Sequence, residues 1–135
     1  LGDLVETARA LRNTWAQAGD DEPADMVRAA YTSMVRDPKR IDPFIPAITR
    51  SDRETMGNAI YELVTTDLSS LLPKIRAPVL LVLSDGGLKD RYRQQAAPVP
   101  HLEVVVMPHT GHFVMLDDPD LVDAALDAML AEVRP

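Results

Sequence analysis

The sequence contains no cysteine in its 135 residues. Disulfides, thiolate zinc sites and cysteine nucleophiles are therefore excluded. It also lacks any apolar run approaching the roughly 20 residues that a membrane-spanning helix requires. Positive charge is in the minority, with 14 Lys and Arg against 21 Asp and Glu and a formal net charge of -7. The basic residues are scattered among acids, the pattern of a solvated surface, and this argues against binding a nucleic-acid phosphate backbone. There is no internal repeat and no low-complexity segment. An initiator Met and a signal-peptide profile are missing too, and Leu1-Gly2-Asp3-Leu4 already falls in a helical pattern. The expectation is a piece of a longer polypeptide, with any targeting signal upstream of residue 1.

What is present is the material of a packed soluble core: 46% hydrophobic and 26% charged residues. The length suits one compact domain, or a cap and a core fragment of something larger. From Asp3 to Ala18 the apolar positions Leu4, Ala8, Leu11, Trp15 and Ala18 keep the spacing of one helix face, with Asp3 as N-cap and Gly19 as stop. A second helix is expected from near Asp21, with Met26, Val27, Ala30, Tyr31 and Met34 on its apolar face and Asp37-Pro38 at its end. Ile41 to Ile48, broken by Pro43 and Pro46, reads as a loop or a single helical turn. Ser51 and Glu54 have the spacing of a capping box, opening a helix that turns Met56, Ile60, Leu63 and Val64 inward. Residues 1–72 are thus helical in character.

The pattern changes at Lys74. Ala77 to Leu83 is a continuous apolar run, bounded by Pro78 near its start and by Ser84-Asp85-Gly86-Gly87 at its end. Its length and bounding residues predict a strand buried on both faces. A helix from about Leu88 to Ala97 follows, then a second buried strand from Leu102 to Met107, then a last helix from Pro119 to about Val133. Alternating strands and helices with this strand composition indicate an α/β fold with a parallel sheet. Two such strands would leave apolar faces and hydrogen-bonding edges open, so residues 73–135 call for further strands that residues 1–72 do not supply.

In open α/β sheets functional groups collect just beyond the carboxyl ends of the strands. Asp85 and His112 lie there, one after each predicted strand. A carboxylate accepting from an imidazole fixes its tautomer and frees the other nitrogen to take a proton from a nucleophile. His112 follows a glycine in the loop after a buried strand, the setting of a presented base, and His109 is the alternative. Asp85 also suits a turn before two glycines, and Asp90 suits the first turn of a helix. Asp117 and Asp118 are most simply the cap of the last helix ahead of Pro119. His101 lies at the opposite end of its strand from His112, which argues against a shared zinc site. The Met and aromatic residues of the helical region, among them Trp15, Tyr31, Met34 and Met56, are expected in the core.

The stretch Asp67-Leu68-Ser69-Ser70-Leu71-Leu72-Pro73-Lys74-Ile75-Arg76-Ala77-Pro78-Val79-Leu80-Leu81-Val82 resembles the passage from cap to penultimate strand in the α/β-hydrolase superfamily. His109-Thr110-Gly111-His112-Phe113, with Asp117-Asp118-Pro119, resembles that superfamily's histidine loop and final helix. The resemblance runs from about Asp67 to Val133. It implies a helical cap over residues 1–72, the C-terminal part of the hydrolase core over residues 73–135, and a triad in the order Ser, acid, His. By that order His112 is the base and Asp85 the acid, with Asp90 as alternative acid, because Ser84-Asp85-Gly86-Gly87 puts glycine where the family's acid is expected, leaving Asp85 slightly early and Asp90 slightly late. No G-x-S-x-G occurs, and the strands and oxyanion-hole loop that precede that elbow in the family are absent from this chain.

The resemblance implies an esterase-like serine hydrolase that needs no cofactor or metal. Its expected substrate is a small ester-like molecule, and its expected partner is the N-terminal half of the hydrolase, as a second chain or as an omitted segment. No nucleic acid and no membrane span are expected. The rival expectation is a non-catalytic binding or assembly module derived from a hydrolase fold, which the absent nucleophile favours.

Overall fold

The computed structural model describes residues 2–19 and 22–133. The described residues divide into two compact units, those within 1–31 and 41–67 and those within 32–40 and 68–135. The first is helical. It contains α1 (Gly2–Gln17), α2 (Glu22–Tyr31), α3 (Ile45–Thr49) and α4 (Arg53–Thr65). A 3-10 helix over Pro38–Phe44 leads into α3, so the proline-punctuated stretch is helical and not a loop.

The interface of α1 with α4 is the centre of this unit. Ala8, Trp15 and Ala18 are buried, as the 3.6-residue period requires, whereas Leu4 and Leu11 stay largely exposed. The two helices meet where Gly57 faces the backbone of α1, and a Cβ there would lie 2.7 Å from the Arg12 carbonyl oxygen. The Arg12 guanidinium stands 5.0 Å over the Tyr61 ring. Leu63, expected inward, is 82% exposed. It lies about 120° around the helix from Gly57, at 100° per residue, and so points away from the contact with α1.

Local capping also differs in detail from expectation. α1 starts at Gly2 and places Asp3 in its first turn, not at the N-cap. Asp21, read as the start of the second helix, lies outside the described residues, as does the side chain of Val133. α2 ends at Tyr31, before the expected Asp37-Pro38 stop, and a 3-10 turn over Thr32–Met34 takes its place. The cap of α4 is Asp52, whose carboxylate accepts from the Thr55 N–H at 2.8 Å. Ser51 instead donates its hydroxyl to the Ala47 carbonyl. With Asp beside Ser, the carboxylate is the stronger acceptor for a helix N-terminus.

The second unit holds the α/β part. A 3-10 helix over Ser69–Lys74 leads to β1 (Val79–Ser84), α5 (Lys89–Ala96), β2 (Leu102–Met107), the single turn α6 (Val114–Asp117) and α7 (Pro119–Val133). β1 and β2 pair in parallel, with Val79 opposite Leu102 and Ser84 opposite Met107. The crossover through α5 is what a parallel pair demands. α5 packs against β2 and α7 against β1.

Both strands were expected to be buried on both faces. Only Leu83 and Met107 are buried among their residues, the others being half-buried or, for Glu103, exposed. The sheet of the described residues has two strands, so each strand has one neighbour, and the apolar composition exceeds what this chain alone covers. No helix of the described residues is long and apolar enough to cross a membrane.

Candidate functional site

The register sets the site. Because Ser84 is opposite Met107, the two strands end at the same level and their following loops begin side by side. Asp85 is the first residue after β1. Pro108 to Phe113 is the loop after β2. The apolar strand composition fixes this edge, and the polar and turn-forming residues beyond it form the site.

The histidine loop is built from its backbone outward. Thr110 is the buried polar residue of the described core, and its hydroxyl donates to the Met107 carbonyl at 2.9 Å, closing the end of β2. His109 has a φ of 57°, in the left-handed region. That conformation costs a non-glycine residue about 1–2 kcal/mol and needs support from its surroundings. Support comes from two sides. The His109 N–H donates to Asp85 Oδ2 at 2.8 Å, and the Arg36 Nε–H donates to the His109 carbonyl at 2.5 Å.

Asp85 therefore meets the loop through the backbone of His109, and among the described hydrogen bonds none joins its carboxylate to the His112 ring. The bond from the His109 N–H is the main reason that the Asp85 carboxyl lies below its ordinary value of 3.8, with the His109 charge and the Thr110 N–H adding to it against desolvation. His112 is exposed, and its ring meets that of Phe113 edge-on at 5.0 Å between centroids. It lines a cavity of about 230 Å³ with Leu81 to Ser84, Leu88, Lys89 and Tyr92. Consecutive β1 residues line this cavity, so it runs along the strand's edge and not over one face.

Asp90 lies in the first turn of α5, exposed, in the place where an acid complements the helix dipole. Asp118 caps α7, accepting from the Leu121 N–H at 3.0 Å. Asp117, expected to share that cap, does something else. Its Oδ2 accepts from the Gly111 N–H at 2.7 Å and its Oδ1 from the Arg36 N–H at 2.9 Å. Met34, expected on the face of the second helix, gives its carbonyl to the Phe113 N–H at 3.1 Å. Sequence reasoning missed Met34, Arg36 and Asp117 as parts of this region. Their contribution is through backbone groups and a long-range contact, and the one local hint was an acid beyond the number needed to cap α7. No group of three or more His, Asp or Glu side chains among the described residues is placed to hold a metal ion.

A parallel strand pair with an acid after one strand and a histidine loop followed by a helix after the next is the C-terminal architecture of an α/β-hydrolase. The chain belongs to the alpha/beta hydrolase family, whose sequence profile matches residues 2–125. The fold is similar to that of a thermophilic esterase from Thermogutta terrifontis, solved with malate bound, with a TM-score of 0.80 at 19% sequence identity. The likeness covers 98% of this chain and 52% of the esterase, so the chain spans about half the length of that protein. No curated protein sequence matches the chain significantly.

Proposed function

We propose that this chain is the C-terminal part of a cap-bearing hydrolase that cleaves carboxylic esters or similar acyl compounds, with His112 as general base. The observation that carries the reading is the level ending of β1 and β2, which brings the Asp85 turn and the His112 loop to one edge in the family's chain order. Residues 1–72 are assigned as the helical cap region by their place before the core strands, save that residues 32–40 and 68–72 pack in the unit of those strands, and residues 73–135 as the core.

In this mechanism a serine from another segment or chain supplies the nucleophile. His112 takes the serine hydroxyl proton as the oxygen attacks the ester carbonyl. Backbone N–H groups outside this chain hold the oxyanion. Collapse breaks the ester bond, and His112 returns the proton to the departing alcohol. Water, deprotonated by His112, then cleaves the acyl-enzyme to free acid and serine. Asp85 is assigned as the acid that orients His112, with Asp90 as the alternative.

The test is hydrolysis of p-nitrophenyl butyrate by the protein assembled with its nucleophile-bearing part. His112→Ala is expected to lower turnover by on the order of a million-fold. His109→Asn, which tolerates the left-handed backbone, is expected to keep turnover near normal. Near-normal turnover in H112A would sink the proposal. Absence of labelling by a fluorophosphonate serine probe would favour the non-catalytic module instead.

A further inference from the structure

The loop that carries His112 is held by a segment far away in sequence. Residues 32–40 belong to the same compact unit as the strands, and they form a strap along the histidine loop. The two residues flanking His112 both have their N–H groups engaged. Gly111 donates to the Asp117 carboxylate at 2.7 Å, and Phe113 donates to the Met34 carbonyl at 3.1 Å. The same Asp117 carboxylate accepts from the Arg36 N–H at 2.9 Å, so one side chain ties loop and strap together. Arg36 closes the ring by donating its Nε–H to the His109 carbonyl at 2.5 Å, and Arg40 donates to the Leu116 carbonyl. The fit is close: a Cβ on Gly111 would overlap the Met34 carbonyl, so only glycine fits here.

Asp117 is not needed to cap α7, because Asp118 does that. It is half-buried, and both carboxylate oxygens accept from backbone N–H groups, one in the loop and one in the strap. An ionised carboxylate makes stronger bonds to N–H groups than a neutral acceptor does. A base on an exposed loop is useful only if its ring is held to within a fraction of an ångström.

We propose that Asp117 is a positioning residue for His112, working with Arg36 of the strap to fix the loop from behind. The proposal rests on His112 being the base. Asp117 touches no reacting atom. Its effect passes through the Gly111 and His109 backbone to the ring of His112.

The experiment is steady-state hydrolysis of p-nitrophenyl butyrate by the assembled enzyme, alongside thermal unfolding. Asp117→Asn keeps the shape and one acceptor oxygen but turns an amide N–H toward a backbone donor. It is expected to lower kcat about 10- to 100-fold, the effect of displacing a catalytic group by about an ångström, with KM little changed. Arg36→Ala is expected to lower kcat several-fold, and the double variant to be no worse than D117N, since both act on one loop. Wild-type kcat in D117N, or a fall that only follows its folded fraction, overturns the proposal. If D117N does not unfold cooperatively, Arg36→Ala decides, because its side chain is exposed and its kcat is then read in a folded protein. H112A separates the two levels. A dead H112A with an unimpaired D117N leaves the base assignment standing and removes the positioning role, whereas an active H112A removes both.

Discussion

Asp85 shows how one residue can hold a loop through its backbone, the His109 N–H being its partner among the described hydrogen bonds. Its carboxylate accepts the His109 N–H, and that bond keeps its carboxyl below the ordinary value of 3.8. A carboxyl whose value is lowered by folding stabilises the folded loop above its unfolded value, and the contribution disappears as pH falls through the folded value. The protection of the His109 amide against hydrogen exchange is therefore expected to hold from neutral pH down to about pH 4 and to fall below it. Asp85→Asn is expected to weaken that protection at neutral pH and to flatten its pH dependence. Exchange measured by mass spectrometry across that range checks both, and an unaltered profile in D85N contradicts the role given to this bond.

At the scale of elements, close backbone approach decides where side chains are allowed. α1 and α4 pack closely because Gly57 has no Cβ, and a methyl group there would stand 2.7 Å from the Arg12 carbonyl. Gly57→Ala gains about 1 kcal/mol of helix propensity. Forcing the helices apart costs about 1–3 kcal/mol, so net destabilisation is expected. Chemical denaturation of the protein checks this, and a raised midpoint would show that the helices separate freely. Gly111 plays the same part in the second unit, where the strap of residues 32–40 leaves no room for a side chain. Both glycines sit in ordinary backbone conformations, so their reason is contact and not φ.

At the scale of the whole molecule, the strands show what the chain can satisfy by itself. β1 and β2 are rich in Val and Leu, yet only Leu83 and Met107 are buried within them. Each has one hydrogen-bonded neighbour, and the outer edges are the kind that pair with other strands. Under the proposed function, a nucleophile-bearing part adds strands to this sheet. The native mass of the purified active protein, followed by denatured masses of its components, is expected to reveal either a longer polypeptide or a second chain carrying G-x-S-x-G. A lone 14.9 kDa species, folded and unfolding cooperatively, would contradict this and favour the binding-module reading.

The elements and the family were legible in local spacing and composition. Apolar periodicity placed α1, α4 and α7, and β-branched runs between proline and glycine placed β1 and β2, because local spacing dictates which face can be buried. The order of Asp85 and His112 behind those strands, with the phrase from His109 to Phe113, was legible for the same reason: a loop that leaves a buried strand end must begin there. Capping by Asp52 in place of Ser51 is a contest between neighbouring residues for one backbone donor, whereas the end of α2 at Tyr31, well before Asp37, is not set by apolar periodicity.

What holds the histidine loop depends instead on contacts made across the packed chain. That Asp117 bonds Gly111 and Arg36, that Met34 receives the Phe113 N–H, and that Asp85 meets the backbone of His109 are contacts between residues up to 81 positions apart. No periodicity encodes them. They arise because the packed unit brings the strap of residues 32–40 against a loop whose N–H groups must find acceptors, and buried or half-buried backbone donors take the nearest ones that the fold provides.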